Sequence, residues 1–380
     1  MAPIRTAIIG LSASAITSWA ANAHLPYLLS PLGRSKYQIV ALLNSSVPAA
    51  QAAISAFKLP PDTKAYGSPA DLAADPDVDL VVCCVRVDLH YETIKPSIEA
   101  GKDVFVEWPL AQNTKVAGEL AQLVQEKGGR SMIGLQGRLA PPVVKIKELI
   151  GSGRIGKVLS VEARAFGGTN DAVSVPRGLE YFLRKEVGGN IYTILFAHLY
   201  DLIQEAVGQA VDVHGHFQLQ RPQSKIRNPK TGEVEATVIS DVPDLITTVG
   251  TIQISPTVQE GAQVGFRLRR GPPFPGEPAL VWTINGEKGE IRLVSQDGTA
   301  IQAMHADSVR IEVWDHETGK VEPVNWEWET WQKELPQVNA RNIGALYDAF
   351  AEGKDGGYPT LEDALARHQQ LDGILSSWKA

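Results

Sequence analysis

Apolar and polar positions alternate in two different rhythms along this chain. Over residues 1–137, short apolar runs of strand length trade places with longer stretches whose apolar residues recur at helical spacing. The pattern predicts strands over residues 6–9, 37–43, 80–85, 103–107 and 131–135. It predicts helices over 24–32 (closed by Gly33), 48–57, 91–99 (stopped by Gly101) and 115–125. Strand–helix alternation with short breaks implies an α/β domain whose parallel sheet is covered on both faces.

The rhythm changes over residues 138–338. Seven strand-like runs follow, over 158–165, 211–219, 245–254, 262–269, 279–285, 290–294 and 309–314, several of them separated by Pro and Gly. Clear helical periodicity interrupts only over 142–150 and 192–206. A block of strands after an alternating half predicts an α+β domain built on one large open, mostly antiparallel sheet. Residues 339–350 and 361–376 read as helices, so the segment 339–380 is expected to pack back against the body.

Composition agrees with two folded domains. The chain has 380 residues, 44% hydrophobic and 21% charged, enough apolar material for buried cores. Its longest apolar runs are strand-sized, too short to span a bilayer. The apolar run ending at Gly10 has no small-residue cleavage site behind it and reads as no secretory signal. The formal charge is -7, with no basic stripe interleaved with aromatics, which argues against direct nucleic-acid binding. Cys83 and Cys84 are adjacent in a strand-like run. Neighbouring strand side chains point to opposite faces, so they read as buried reduced thiols in a cytoplasmic protein. In that setting Asn44-Ser45-Ser46 carries no glycosylation meaning. His214-Gly215-His216 offers two ligands without a third, so no metal site is expected.

The first strand runs into Gly10-Leu11-Ser12-Ala13-Ser14-Ala15. In a Rossmann unit this turn, with the helix after it, holds a dinucleotide pyrophosphate. Gly10 is kept, Ser12 stands for the second glycine and Ala15 for the third, and Ser12 and Ser14 bring hydroxyl donors. An ordinary strand-to-helix turn has the same outline. The second strand ends in Asn44-Ser45-Ser46 without the acid that selects NAD and without a following arginine for NADP, so both cofactors stay open.

Several further segments resemble the glucose–fructose oxidoreductase/inositol dehydrogenase/MocA family. They are Asp75-Pro76-Asp77-Val78-Asp79, His90 opening a helix, the run from Gly101 to Glu107, Gly151 to Gly156, and Asn285 to Glu290. Their shared order covers nearly the whole chain. Trp19-Ala20, His24-x-Pro26, Glu107-Trp108-Pro109, Leu135-Gln136-Gly137-Arg138 and Val242-Pro243-Asp244 resemble, within it, the fungal galactose-regulon repressor-like branch. The resemblance implies a Rossmann domain with NAD or NADP held by Gly10, Leu11, Ser12, Ser14, Ala15, Asn44, Ser45, Arg86, His90, Glu107, Trp108, Pro109 and Gln136. It also implies a homodimer through the open sheet.

Two departures touch chemistry. The family carries Glu-Lys-Pro, and Trp108 occupies the lysine position here. It carries an Asp four residues before a catalytic histidine; His198 is kept, but Ile194 replaces the acid. His198 is the candidate proton-transfer group, or else a core histidine held by Asp201 or by backbone. Trp108 is a candidate to flank the nicotinamide, and Tyr181, Lys185 and Tyr192 are candidate substitutes for the lost donor, Tyr192 foremost. Arg86 reads either as an anion contact or as a surface ion pair with Asp88 or Glu92. Arg267, Arg269 and Arg270 read as pocket rim or, more simply, as a solvated strand edge. Three functions remain: an NAD(P)-dependent oxidoreductase on a small polar or ring-containing substrate, a catalytically silent dinucleotide-binding regulator that holds an activator protein, and a non-redox isomerase or lyase that keeps the cofactor.

Overall fold

The computed structural model describes residues 2–168, 171–353 and 356–379. The chain divides into two compact units, Met1–Gln136 with Glu329–Gln369, and Gly137–Trp328 with Gln370–Ala380. No helix among the described residues is long and apolar enough to cross a membrane.

The first unit holds six parallel strands: β1 (Ile4–Ile9), β2 (Tyr37–Leu43), β3 (Lys64–Tyr66), β4 (Leu80–Cys83), β5 (Asp103–Val106) and β6 (Ser131–Ile133). They lie in the order β3-β2-β1-β4-β5-β6. Every residue of β4 is buried, as expected of a strand covered on both faces. The strand order reverses between β1 and β4, which opens a crevice at their carboxyl ends. At the opposite ends the Asp75–Asp79 segment closes the sheet. Asp75 accepts from Lys64 Nζ at 2.9 Å and from the Tyr66 hydroxyl at 2.8 Å, and Asp79 takes Arg5 Nη2 at 2.7 Å. That acidic motif is therefore an anchor of the scaffold.

Two local differences from the sequence reading have simple causes. The first helix begins at Ala20 as a π-helical turn, Ala20–His24, and continues as Leu25–Leu28. Ser30 then starts a separate helix, Pro31–Lys36, by accepting from Gly33 N, so Gly33 lies inside a helix and does not end one. A Cβ at Gly33 would lie 1.9 Å from the Tyr27 carbonyl, which explains the glycine. The short β3 was not anticipated, because three residues with a charged lead carry little apolar signal.

The second unit contains β7 (Val158–Gly167), β8 (Ser174–Pro176), β9 (Ala210–Gln218), β10 (Gln223–Arg227), β11 (Val234–Ile239), β12 (Leu245–Ile252), β13 (Val258–Arg270), β14 (Leu280–Gly286), β15 (Gly289–Ser295), β16 (Val309–Asp315) and β17 (Val321–Val324). Eight form one sheet in the order β17-β16-β15-β14-β7-β13-β12-β9. Only β7 and β13 pair in parallel; every other pair in it is antiparallel. One face alternates into a core: Val161, Ala163 and Ala165 of β7, and Val264, Phe266 and Leu268 of β13, are buried. The helix Ala197–Val207 lies on that face, with Phe196 and Phe266 stacked at 5.0 Å.

A smaller sheet, β11-β10-β8, forms beside it around Val175, Leu179, Leu183 and Ile226. Its strands escaped the sequence reading because they are short or almost wholly exposed. The arginine cluster also needs correcting. β13 is an interior strand between β7 and β12, so Arg267, Arg269 and Arg270 are not on a sheet edge. Arg267 is exposed, whereas Arg270 is turned inside.

Asp201 in the helix Ala197–Val207 receives Arg138 through two bonds, from Nε at 3.0 Å and Nη2 at 2.9 Å. Its side chain is only 3% exposed. Removing the acid leaves this largely buried guanidinium with Glu205 Oε2, 3.8 Å from Nε, as a weaker carboxylate partner. Asp201→Ala is expected to cost the second unit about 2–3 kcal/mol in urea unfolding, and Asp201→Asn less.

Candidate functional site

The turn after β1 is held open by geometry. Gly10 has φ 93°, and a Cβ there would lie 2.7 Å from the Cys84 carbonyl oxygen and 2.8 Å from Val85 Cγ1. Only glycine lets the end of β1 approach β4 so closely. Gly10 N continues the ladder to Leu43 O at 3.0 Å, and Cys84 N returns to Ile9 O at 3.0 Å. Ten residues, 10–19, then run to the first helix. Within them Ser12 and Ser14 share a hydroxyl–hydroxyl bond of 3.1 Å, and Ser14 N donates to Ser12 Oγ. The backbone N–H groups of Leu11, Ser12, Ala13, Ala15, Ile16 and Thr17 meet no acceptor among the described residues. Asn44 Nδ2 grips the loop by donating to Leu11 O at 2.9 Å. Ser45 is exposed, and Ser46 caps the next helix, Val47–Ala56.

A loop of unspent donors beside a strand-order reversal fits an anionic group such as a dinucleotide pyrophosphate. A second unspent atom is Gln136 Oε1, an acceptor buried without a hydrogen-bond partner at the end of this unit. An amide donor of a ligand would satisfy it.

The neighbouring strand ends are more self-contained. Arg86 makes a fork to Asp88, Nε to Oδ1 at 2.6 Å and Nη2 to Oδ2 at 2.7 Å, so the plain ion pair is present. His90 is buried, its ring nitrogens 3.1 Å from Leu110 O and 3.0 Å from Val85 O. Burial pulls its pKa down, against the pull of those carbonyls. Glu107 reaches His24 Nε2 at 2.7 Å, and His24 Nδ1 meets the Tyr347 hydroxyl at 2.8 Å. These two bonds engage both ring nitrogens of His24. A Cβ at Gly134 would lie 2.5 Å from Glu107 Oε2, so that glycine makes room for the carboxylate.

His24, Cys84 and Glu107 bring three ligand-type atoms within 4.8 Å of one another. His24 and Glu107 are already spent on each other, and burial pushes the Cys84 thiol well above its ordinary range. The group is built as a polar knot in the core. Sequence reading missed this triad because its outer members, His24 and Glu107, lie 83 residues apart.

Trp108 precedes Pro109 through a cis peptide bond. Its indole is 5% exposed and lies 4.8 Å from the His368 ring, tilted by 41°. It is thus a fixed flat surface. In the second unit His198, 8% exposed, stands in the first turn of Ala197–Val207, four residues after Ile194. The π-helical turn Ile191–Phe196 leads into that helix, capped by Asn190. Tyr192 is buried, stacks on Phe196 and donates its hydroxyl to Leu371 O at 2.7 Å; burial raises its pKa far beyond neutrality. Its phenol is committed to the core. Tyr181 packs against Phe182 beside the small sheet, and Lys185 is exposed. His214 and His216 are exposed on the edge strand β9.

A family model described as an oxidoreductase family with an NAD-binding Rossmann fold matches residues 4–135. A model of the Gal80p C-terminal domain matches residues 141–295. The chain is 34% identical over 385 residues to dehydrogenase aclE from Aspergillus oryzae, covering 98% of this chain and 96% of that protein. It is 25% identical over 413 residues to the galactose/lactose metabolism regulatory protein GAL80 from Saccharomyces cerevisiae, covering 99% and 93%. A crystal structure of a super-repressor mutant of that Gal80p superposes with a TM-score of 0.85 at 24% identity, over 99% of this chain and 96% of the other. Levoglucosan dehydrogenase in complex with NADH and L-sorbose shares the fold, with a TM-score of 0.76 at 18% identity over 99% and 97%.

The glycine at the turn gives a direct check. Gly10→Ala must both leave φ 93° and clear the Cys84 carbonyl. It is expected to cost upwards of about 1 kcal/mol. Calorimetry with NADH and NADPH should show the dinucleotide heat of the parent protein lost.

Proposed function

This chain belongs to the glucose–fructose oxidoreductase/inositol dehydrogenase/MocA oxidoreductase family, and we propose that it is an NAD(P)-dependent dehydrogenase of a small polar or ring-containing molecule. The observation that carries the reading is the donor loop after β1, whose amides are unspent while the strand ends beside it are tied off. The 34% likeness to a dehydrogenase along nearly the full chain supports it.

Bound nicotinamide would supply the hydride acceptor or donor. The amides of residues 11–17, with the Ser12 and Ser14 hydroxyls, would hold the pyrophosphate at the positive end of a preorganised loop. Asn44 keeps that loop on β2. Trp108 has no proton to exchange near neutrality; clamped by His368, it contributes a flat wall and excludes water. The proton that leaves or joins the substrate oxygen falls to His198, an imidazole suited to transfer near neutral pH. Two free thiols, Cys83 and Cys84, suit a reducing compartment such as the cytoplasm. The open face of the large sheet, with Val249 at 49% and Trp314 at 46% exposure, is the surface proposed for a homodimer.

A second reading has its own support. Trp108 and Ile194 stand where the family pattern has Lys and Asp, and the chain aligns with a regulatory protein over 99% of its length. On that reading the dinucleotide is bound, unturned, and gates a protein partner.

Incubation with NAD+ or NADP+ and panels of alcohols and sugars, followed at the nicotinamide absorbance, separates the two. The dehydrogenase reading expects turnover that His198→Asn lowers on the order of 10²–10⁴-fold, with dinucleotide affinity kept. Tight dinucleotide binding without turnover, joined to dinucleotide-dependent capture of an activator, would replace it with the regulator. Asn44→Asp places an acid at the end of β2 and also removes the donor to Leu11 O, so NADH affinity is expected to fall and NADPH affinity to fall roughly tenfold or more beyond it.

A further inference from the structure

The second unit contains a pocket of about 500 Å³, its open mouth included, at the carboxyl ends of the parallel pair β7 and β13. Its walls are apolar, with Phe182, Ile194 and Leu195 prominent. Four buried polar side chains also line it, Asn190, Ser240, Asp244 and Arg270, with Asn190 at 1% exposure and Arg270 at 7%.

Asn190 and Arg270 have donors left over. Asn190 Oδ1 accepts from Tyr192 N at 2.9 Å and Thr193 N at 3.1 Å, which fixes the orientation of the amide. Its Nδ2 then meets no acceptor among the described residues. Arg270 spends three N–H groups, on Asp171 O at 2.9 Å, Ser224 Oγ at 3.1 Å and Ser174 O at 3.0 Å. A guanidinium has five. All three partners are neutral, and Arg270 forms no ion pair with a carboxylate among the described residues.

Asp244 faces the same pocket, but backbone N–H groups already engage both its oxygens, from Gln220 at 2.6 Å and Arg221 at 3.1 Å. The charges that act on Arg269 and Arg270 include Arg221 on one side and Asp171 and Asp244 on the other. A buried cation with neutral partners and a buried amide with idle donors both gain most from an anionic acceptor.

We infer that this pocket binds a small monocarboxylate with an apolar body, its carboxylate received by Arg270 and Asn190 Nδ2. The apolar body lies along Ile194 and Leu195. The same helical stretch carries His198 four residues beyond Ile194. That the bound acid is the dehydrogenase substrate rests on the reading of the previous subsection; that it binds does not.

Calorimetric titration of the full chain with benzoate and hexanoate, against benzamide and hexanamide, tests the site. Added salt should weaken the carboxylates, and the amides should bind roughly tenfold or more weakly. Arg270 is also structural, so the informative variant is Asn190→Asp, which keeps the capping oxygen and replaces the donor. It should melt like the parent protein and lose roughly ten- to hundredfold in benzoate affinity. Equal binding of benzoate and benzamide would overturn the inference, as would unchanged benzoate affinity in a folded Asn190→Asp. So would no heat with either acid up to roughly 10 mM. NADH and NADPH titrated in parallel keep the two readings apart. Benzoate binding without dinucleotide binding sinks the dehydrogenase and leaves the pocket, and the converse sinks the pocket alone.

Discussion

The approach of β1 to β4 at Gly10 is the constraint on which the first unit depends. At that point the strand order reverses, and a side chain would collide with the Cys84 carbonyl. Because the strands come so close, their ladders continue one residue past the formal strand ends, through Gly10 to Leu43, Cys84 to Ile9, Glu107 to Cys83 and Gly134 to Val106. This row of strand ends sets the backbone rigidly up to the crevice. The loop after Gly10 then leaves the ladder with its amides unspent. A rigid edge beside an unsatisfied loop is a physical description of a site built for an anion.

The same row explains why Glu107 is buried. Its backbone is fixed by β4, and its side chain enters space that Gly134 leaves open, where His24 completes it. Tyr347 closes the other side of that imidazole, and its carbonyl accepts from the Tyr37 hydroxyl at 2.6 Å. One hydrogen-bonded chain thus joins the carboxyl end of β5 to the helix Asn339–Ala351 and to β2. A carboxyl group buried in this way is tolerated because His24 receives it and Tyr347 holds His24. Trp108 follows directly, and its position is inherited from this anchorage.

Much of the scaffold was legible because periodicity reports burial. β2 was read with its observed ends, and the strands of the large sheet were read to within a few residues, since one face of each is buried and the other is not. The elements that escaped, β3, β8, β10, β11 and β17, are short, edge-lying or exposed, and leave no apolar trace. The glycine turn was legible from local residues alone. The knot around His24 and the pairing of Asn190 with Arg270 in one pocket were not. Each joins residues distant in sequence, and neither member of a pair requires the other locally.

The two units offer a ligand different kinds of open polar group. In the first, His24, Glu107 and Tyr347 hydrogen-bond one another, and the loop after Gly10 leaves backbone amides open. Backbone amides recognise charge without regard to what carries it, which suits a cofactor common to many reactions. In the second, the idle donors belong to side chains, Asn190 and Arg270, held by their other bonds inside an apolar wall. A side-chain donor in an apolar pocket rejects molecules that leave it unpaired, so it discriminates as well as binds. Ile194, which stands where the family pattern has Asp, lies in the wall of that pocket, so the substitution exchanges a carboxylate for apolar surface beside the two donors.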